Sequence, residues 1–187
     1  MTGLRKAALL DRDGVINRDS GYVYRVQDFE FLPGALQGLR ALQDQGYALA
    51  VITNQSGIAR GLYSEADYLR LAKHLQDELA RHGIALAGSA HCPHLPDAPV
   101  PQWRSQCDCR KPAPGMLLRL AEQLRLDLPA SILVGDKASD IQAGRAAGVG
   151  RCFLVRSGHA LSETDIAQAD AVYPDLAACA AALSGII

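Results

Sequence analysis

No run of the chain reaches the roughly 20 consecutive apolar residues that a membrane-spanning helix needs, although 49% of its residues are hydrophobic. The apolar residues come instead in short runs such as Ala7-Ala8-Leu9-Leu10, the length of a buried strand. An excess of one charge is missing too: 19 Lys and Arg against 20 Asp and Glu leave a net charge of −1. That balance excludes the clustered basic surface on which duplex binding depends, so no nucleic-acid partner is expected. Met1-Thr2-Gly3-Leu4-Arg5-Lys6 leads into a strand rather than a signal-peptide core, and a cytoplasmic protein with no membrane partner is expected. Cysteine is odd in number at five, with two of them as Cys107-x-Cys109, which argues against a disulfide framework. Repeats and low-complexity linkers are absent, and 187 residues suit one domain, 1–187, with one sizeable core. No repeating apolar stripe demands a partner copy, so a monomer is expected.

Apolar runs that read as strands recur near residues 7–10, 48–53, 84–91, 131–135 and 151–155, with helical periodicity between the early ones. Alternating strands and helices predict an α/β protein, a Rossmann-like, doubly wound parallel sheet with helices on both faces. The first helix follows Pro33, carries Leu36, Leu39 and Leu42 on one side and stops at Gly46. Ser64-Glu65-Ala66-Asp67 resembles a capping box for a second helix, which repeats Tyr68, Leu71, Leu75 and Leu79 up to Gly83. Further helices are predicted from Pro114 through Leu124, around Ile141 to Gly148, and over Asp175 to Ser184.

Chemistry gathers at the ends of these strands. Asp11-Arg12-Asp13-Gly14 follows the first one, and alternate side chains leaving a strand share an edge, where ligands of open α/β sheets bind. Alone, such a pair is equally a turn cap. Three later segments support a site. Thr53-Asn54-Gln55-Ser56-Gly57 ends the second strand with the short neutral donors that can hold a phosphate. Arg110-Lys111-Pro112 places two cations before a helix, and Gly135-Asp136-Lys137 ends a third apolar strand, with Asp140 one helical turn on.

The one break in composition is the segment 91–110, which holds Pro93, Pro96, Pro99 and Pro101 and almost no aliphatic periodicity. Prolines at that density exclude a helix or central strand through most of it, so something other than a hydrophobic core must order it. Cys92-x-His94 and Cys107-x-Cys109 offer three thiolates and an imidazole, the ligand set of a closed tetrahedral zinc site. His91 adjoins the cluster as a competitor for the imidazole position. Free thiols are the alternative, and exposed free cysteine is a liability. Cys152 and Cys179 sit among apolar residues and read as ordinary buried side chains.

Taken in order, these segments resemble the four motifs of the haloacid dehalogenase superfamily of phosphohydrolases. The longer stretches Asp11–Asn17, Thr53–Gly61, Cys92–His94, Cys107–Pro112 and Gly135–Lys137 are similar to its capless heptose bisphosphate phosphatases, over nearly the whole chain. Val15 stands where many superfamily members carry threonine. The resemblance implies a magnesium-dependent phosphatase acting on a small phosphorylated sugar, with removal of the C7 phosphate in nucleotide-activated heptose biosynthesis. Asp11 would be the nucleophile that forms an aspartyl-phosphate, and Asp13 the general acid and base. Mg²⁺ would be held by Asp11, the Asp13 main-chain carbonyl and Asp136, with Asp140 behind them. Thr53 and Lys111 would bind the transferring phosphoryl group. Asn54, Gln55, Ser56, Arg110 and Lys137, with the loop residues Asp19, Ser20, Gly21 and Tyr22, would contact or screen the substrate. The same resemblance selects His94 over His91 as the fourth zinc ligand.

The intervals between motifs leave no room for a cap domain, so substrate selection falls to loops. An arginine at the pocket suits a second anionic group, because guanidinium binds phosphate oxygens as a fork. Arg110 therefore favours a sugar bisphosphate over histidinol phosphate, the substrate of a related capless enzyme, which carries a cation there. A non-catalytic zinc-loop binding module fits poorly, since Trp103 is the only aromatic residue in the loop.

Overall fold

The computed structural model describes residues 3–185. Its frame is a six-stranded parallel sheet in the order β3-β2-β1-β4-β5-β6. The strands are β1 (Ala7–Leu10), β2 (Ala48–Asn54), β3 (Leu86–Cys92), β4 (Ile132–Gly135), β5 (Arg151–Val155) and β6 (Ala171–Tyr173). β1 is central, with Leu9 level with Ala50 of β2 and Leu133 of β4. All four of its residues are fully buried, as a strand covered on both faces requires.

Alternate residues of β1 divide the core in two. Ala8 and Leu10 pack with Leu39 and Leu42 of α1 (Ala35–Asp44), Leu75 and Leu79 of α3 (Glu65–Arg81), and Leu176 and Leu183 of α7 (Leu176–Ser184). Ala7 and Leu9 pack with Met116, Leu117 and Leu120 of α4 (Gly115–Leu124) and Ile141 of α5 (Ala138–Ala147). Two single-turn helices, α2 (Ser56–Ala59) and α6 (Glu163–Ile166), complete the set. Truncating Leu9 would open a cavity between the sheet and α4. Leu9→Ala is expected to lower unfolding free energy in urea by about 2–5 kcal/mol, and a loss under about 1 kcal/mol would contradict a close-packed centre at β1.

The helix signals act as expected. Ser64 Oγ accepts from the Asp67 amide while Asp67 accepts from the Ser64 amide, closing the capping box. Asp175 caps α7 through Ala178 N at 2.8 Å. The structure adds β6, which the sequence reading omits: three half-buried residues pair with the edge of β5, too few for alternation to register. β3 also starts two residues later and ends one later than expected, over Leu86–Cys92, so His91 is its penultimate residue rather than its last. No inserted domain occurs between strands among the described residues, and no helix among them is long and apolar enough to cross a membrane. The order of strands reverses between β1 and β4, the chain winding outward to β3 on one side and to β6 on the other, so a crevice forms outside their carboxyl ends.

Candidate active site

A cleft of about 580 Å³ occupies that crevice. Asp11 and Asp13 reach it from β1, Thr53 to Ser56 from β2, and Arg110, Lys111 and Lys137 from the segments before α4 and α5. Asp19, Gly21 and Tyr22 wall it from the loop after β1, whereas Ser20 does not line it. Asp136 is fully buried beside it. The turn at Gly14 must be glycine: its φ is +84°, and a Cβ there would lie 2.3 Å from Asp136 Oδ2.

The floor is a network of buried charges. Lys111 Nζ lies 2.6 Å from Asp140 Oδ1 and 3.1 Å from Asp11 Oδ1, and donates to Ile52 O at 3.0 Å. Burial alone would disfavour the ammonium, but the two carboxylates raise Lys111 above the ordinary lysine range. Asp140 Oδ2 accepts from the amides of Asp136 and Lys137, so Asp140 secures both Lys111 and the turn after β4. Asn54 grips Lys111 from the other side, its Nδ2 donating to Lys111 O at 3.0 Å and its Oδ1 accepting from Lys111 N at 3.1 Å. The Asn54 amide is thus committed to the chain rather than open to a ligand.

Burial pushes the Asp11 carboxyl up to about 8, the carboxylates of Asp140, Asp136 and Asp13 adding to it and Lys111 opposing it. Asp136 is raised as well, again by burial first, against a hydrogen bond from His159. Such a site is short of positive charge. Carboxylate oxygens of Asp11, Asp136 and Asp140 lie within 4.8 Å of one another, and Asp136 Oδ1 is buried without a hydrogen-bond partner. An oxygen-rich cluster with a free buried acceptor fits a hard divalent cation.

Asp13 is oriented from three sides. The buried Arg12 guanidinium clasps both its oxygens at 2.8 Å and donates onward to Val23 O at 2.8 Å. Asn17 Nδ2 donates to Asp13 Oδ1 at 2.9 Å, and Gln55 Nε2 to Asp13 Oδ2 at 3.2 Å and Thr53 Oγ1 at 2.8 Å. Tyr63 Oη donates to Gln55 Oε1 at 2.6 Å, which sets the amide so that its N–H groups face Asp13 and Thr53. The Tyr63 ring stacks on Tyr24 at 4.8 Å.

In the proline-rich segment, Cys92, His94, Cys107 and Cys109 converge. The sulfurs are 3.1–3.5 Å apart, and His94 Nδ1 is 3.4 Å from Cys109 Sγ and 3.8 Å from Cys92 Sγ. These spacings approach the roughly 3.8 Å edges of a tetrahedron built on ~2.3 Å metal–sulfur bonds. His91 is turned away: its Nε2 lies 2.7 Å from Glu65 Oε1 and its ring packs on Tyr68. Trp103 packs on His94 at 5.8 Å, and Arg110 Nη1 donates to His94 O at 3.4 Å, which couples the cluster to the cleft.

Arg12, Tyr63 and His159 are given no role by the sequence. Arg12 carried a signal in its place between two carboxylates, and His159 in following the carboxyl end of a predicted strand. Tyr63 carried none, because its contact to Gln55 depends on how the turn after β2 packs.

The HAD-hydrolase-like family model matches residues 108–179. The chain is 48% identical over 158 residues to D-glycero-alpha-D-manno-heptose-1,7-bisphosphate 7-phosphatase of Photorhabdus laumondii, covering 84% of this chain and 86% of that one. It is 43% identical over 180 residues to the D-glycero-beta-D-manno-heptose-1,7-bisphosphate 7-phosphatase of the same organism, covering 96% of each. Among solved structures, D,D-heptose 1,7-bisphosphate phosphatase from B. bronchiseptica, complexed with magnesium and phosphate, superposes with a TM-score of 0.83 at 35% identity, covering 97% of this chain and 99% of that one.

Proposed function

The chain belongs to the D-glycero-D-manno-heptose-1,7-bisphosphate 7-phosphatase family of haloacid dehalogenase-like phosphoric monoester hydrolases, and on that premise we propose that it removes the C7 phosphate of a heptose 1,7-bisphosphate through an aspartyl-phosphate on Asp11. The observation that carries this reading is a buried carboxylate, Asp11, at the cleft floor, paired with Lys111 and flanked by Asp136, with the oriented Asp13 two residues on.

Asp11 attacks phosphorus, so that an Asp11 O–P bond forms as the bond to the sugar oxygen breaks, and Asp13 gives that oxygen a proton. Asp13 then takes a proton from the water that attacks the phosphoenzyme, and the Asp11 O–P bond breaks to release phosphate. Mg²⁺ held by Asp11, the Asp13 carbonyl and Asp136 would neutralise the phosphate charge that otherwise repels a carboxylate. Thr53 and Lys111 hold the phosphoryl oxygens, Ser56 and Lys137 border them, and Gln55 and Asn54 orient Asp13 and Lys111. Arg110 takes the second phosphate, and the loop carrying Asp19, Ser20, Gly21 and Tyr22 covers the sugar. Zn²⁺ on Cys92, His94, Cys107 and Cys109 is structural, because four protein ligands leave no open position. We place the reaction in the biosynthesis of nucleotide-activated heptose.

Phosphate release should be measured with Mg²⁺ from both anomers of the heptose bisphosphate and from histidinol phosphate. A preference for one heptose anomer of ~10²-fold in kcat/KM over histidinol phosphate is expected, about 2.7 kcal/mol of transition-state discrimination. A preference for histidinol phosphate would overturn the assignment of Arg110, and absence of turnover on every ester would overturn the mechanism.

A further inference from the structure

His159 lies in the segment between β5 and α6, outside every motif used above. Its Nδ1 is 2.6 Å from Asp136 Oδ2, and its backbone N donates to the same oxygen at 3.2 Å. Beside a carboxylate oxygen that already accepts a backbone N–H, Nδ1 carries the ring proton and donates. The oxygen is also enclosed sterically. A Cβ on Gly158 would stand 2.1 Å from Asp136 Oδ2 and one on Gly14 2.3 Å from it, so no side chain fits beside that atom at either position. Ser157 Oγ donates to Gly14 O at 2.8 Å, tying the 157–159 segment to the turn that carries Asp11 and Asp13. The partner oxygen, Asp136 Oδ1, is equally buried and has no hydrogen bond.

One carboxylate therefore presents two unlike oxygens: Oδ2 takes two N–H donors in a niche that only glycines leave open, and Oδ1 is without a hydrogen bond. We propose that His159 is a positioning residue that locks the rotation of Asp136, so that Oδ1 alone serves as the ligand atom for the divalent cation. The inference rests on the reading of Asp136 as a metal ligand. Its energetic content is the usual one for outer partners of ligands: a hydrogen bond to the idle oxygen fixes the working one, and losing it costs about 10- to 100-fold in metal affinity. The ring is well placed for this role without being needed for folding, since its side chain is 46% exposed at the cleft wall, where Nε2 lies 3.7 Å from Asp19 Oδ2.

The test is Mn²⁺ binding to the zinc-loaded protein, followed by electron paramagnetic resonance of free Mn²⁺, for the wild type, His159→Ala, His159→Asn and Asp136→Asn. The backbone N–H of residue 159 survives in all four, so only side chains change. His159→Ala is expected to raise the Mn²⁺ Kd by about 10- to 100-fold. His159→Asn, whose amide N–H occupies the place of Nδ1–H, is expected to recover most of the affinity, which a merely structural role for the ring would not produce. An affinity of His159→Ala unchanged or tightened, or an Asn variant no better than Ala, would overturn the positioning role. Asp136→Asn binding as tightly as the wild type would overturn the metal-ligand reading itself, and the proposal with it.

Discussion

Asp11→Asn is expected to reduce kcat by ~10⁴-fold or more while leaving the protein folded. On the proposed mechanism the variant keeps the shape of the side chain and removes the nucleophile, since an amide cannot form the acyl phosphate through which both half-reactions would pass. The fold should tolerate the change because Asp11 is a costly group where it stands: burial already pushes its carboxyl up to about 8, and an uncharged amide does not carry that penalty. Lys111 loses one partner but retains Asp140 at 2.6 Å and Ile52 O at 3.0 Å, so it is not left as an unpaired buried cation. Asp13→Asn is expected to cost less, about 10²- to 10⁴-fold, the usual worth of a general acid and base. It should also slow breakdown of the phosphoenzyme, so that rapid quench with labelled substrate traps more covalent phosphate than in the wild type. Retention of more than a tenth of wild-type kcat in Asp11→Asn would exclude it as the nucleophile.

Cys109→Ser is expected to release the metal from the proline-rich segment and to lower kcat/KM toward the bisphosphate by ~10²-fold, through geometry alone. Zinc bound by three thiolates and an imidazole contributes its binding free energy to ordering the loop that holds it. Cys109 is buried and sits directly before Arg110 and Lys111. The two cations are moored unequally. Lys111 is held by Asn54 through both its N and its O and by ion pairs with Asp11 and Asp140, whereas Arg110 leans on the cluster itself, its side chain on His94 O at 3.4 Å and its backbone on Cys107. Loss of the metal should therefore displace Arg110 far more than Lys111. The effect should fall on KM for the bisphosphate more than on kcat, and a monophosphate such as p-nitrophenyl phosphate should be turned over nearly as before. Elemental analysis is expected to find about one zinc per wild-type chain and almost none in the variant. Wild-type protein purified without zinc, or equal losses on both substrates, would count against this division of labour.

Much of this molecule could be read locally. Ala7–Leu10, Ala48–Asn54 and Ile132–Gly135 are apolar runs bounded by polar turns, and each became a buried strand with its carboxylate, hydroxyl or amide group at the carboxyl end. The Ser64–Asp67 box and the leucines spaced through α3 were legible because a cap and a helical stripe are set within one or two turns of chain. The convergence of Cys92, His94, Cys107 and Cys109 was legible because three thiols and an imidazole in a segment without a core have few other uses. β6 was not legible: its pairing energy comes from the edge of β5, and three residues carry no periodicity of their own.

What the amino-acid sequence determined by itself is the order of strands and helices, the chemistry offered at each strand end and the set of soft ligands, since all of these depend on neighbours a few positions apart. Tertiary structure alone decided what each polar side chain does. Gln55 meets Asp13 across 42 residues and Asn54 meets Lys111 across 57, so two amides that looked free for substrate are spent on orienting other groups. His159 meets Asp136 across 23 residues, and Ser157 meets Gly14 across 143. A hydrogen bond is satisfied within a few tenths of an ångström or not at all, and the chain separations that bring such atoms together are closed by core packing on both faces of the sheet, which no local pattern encodes.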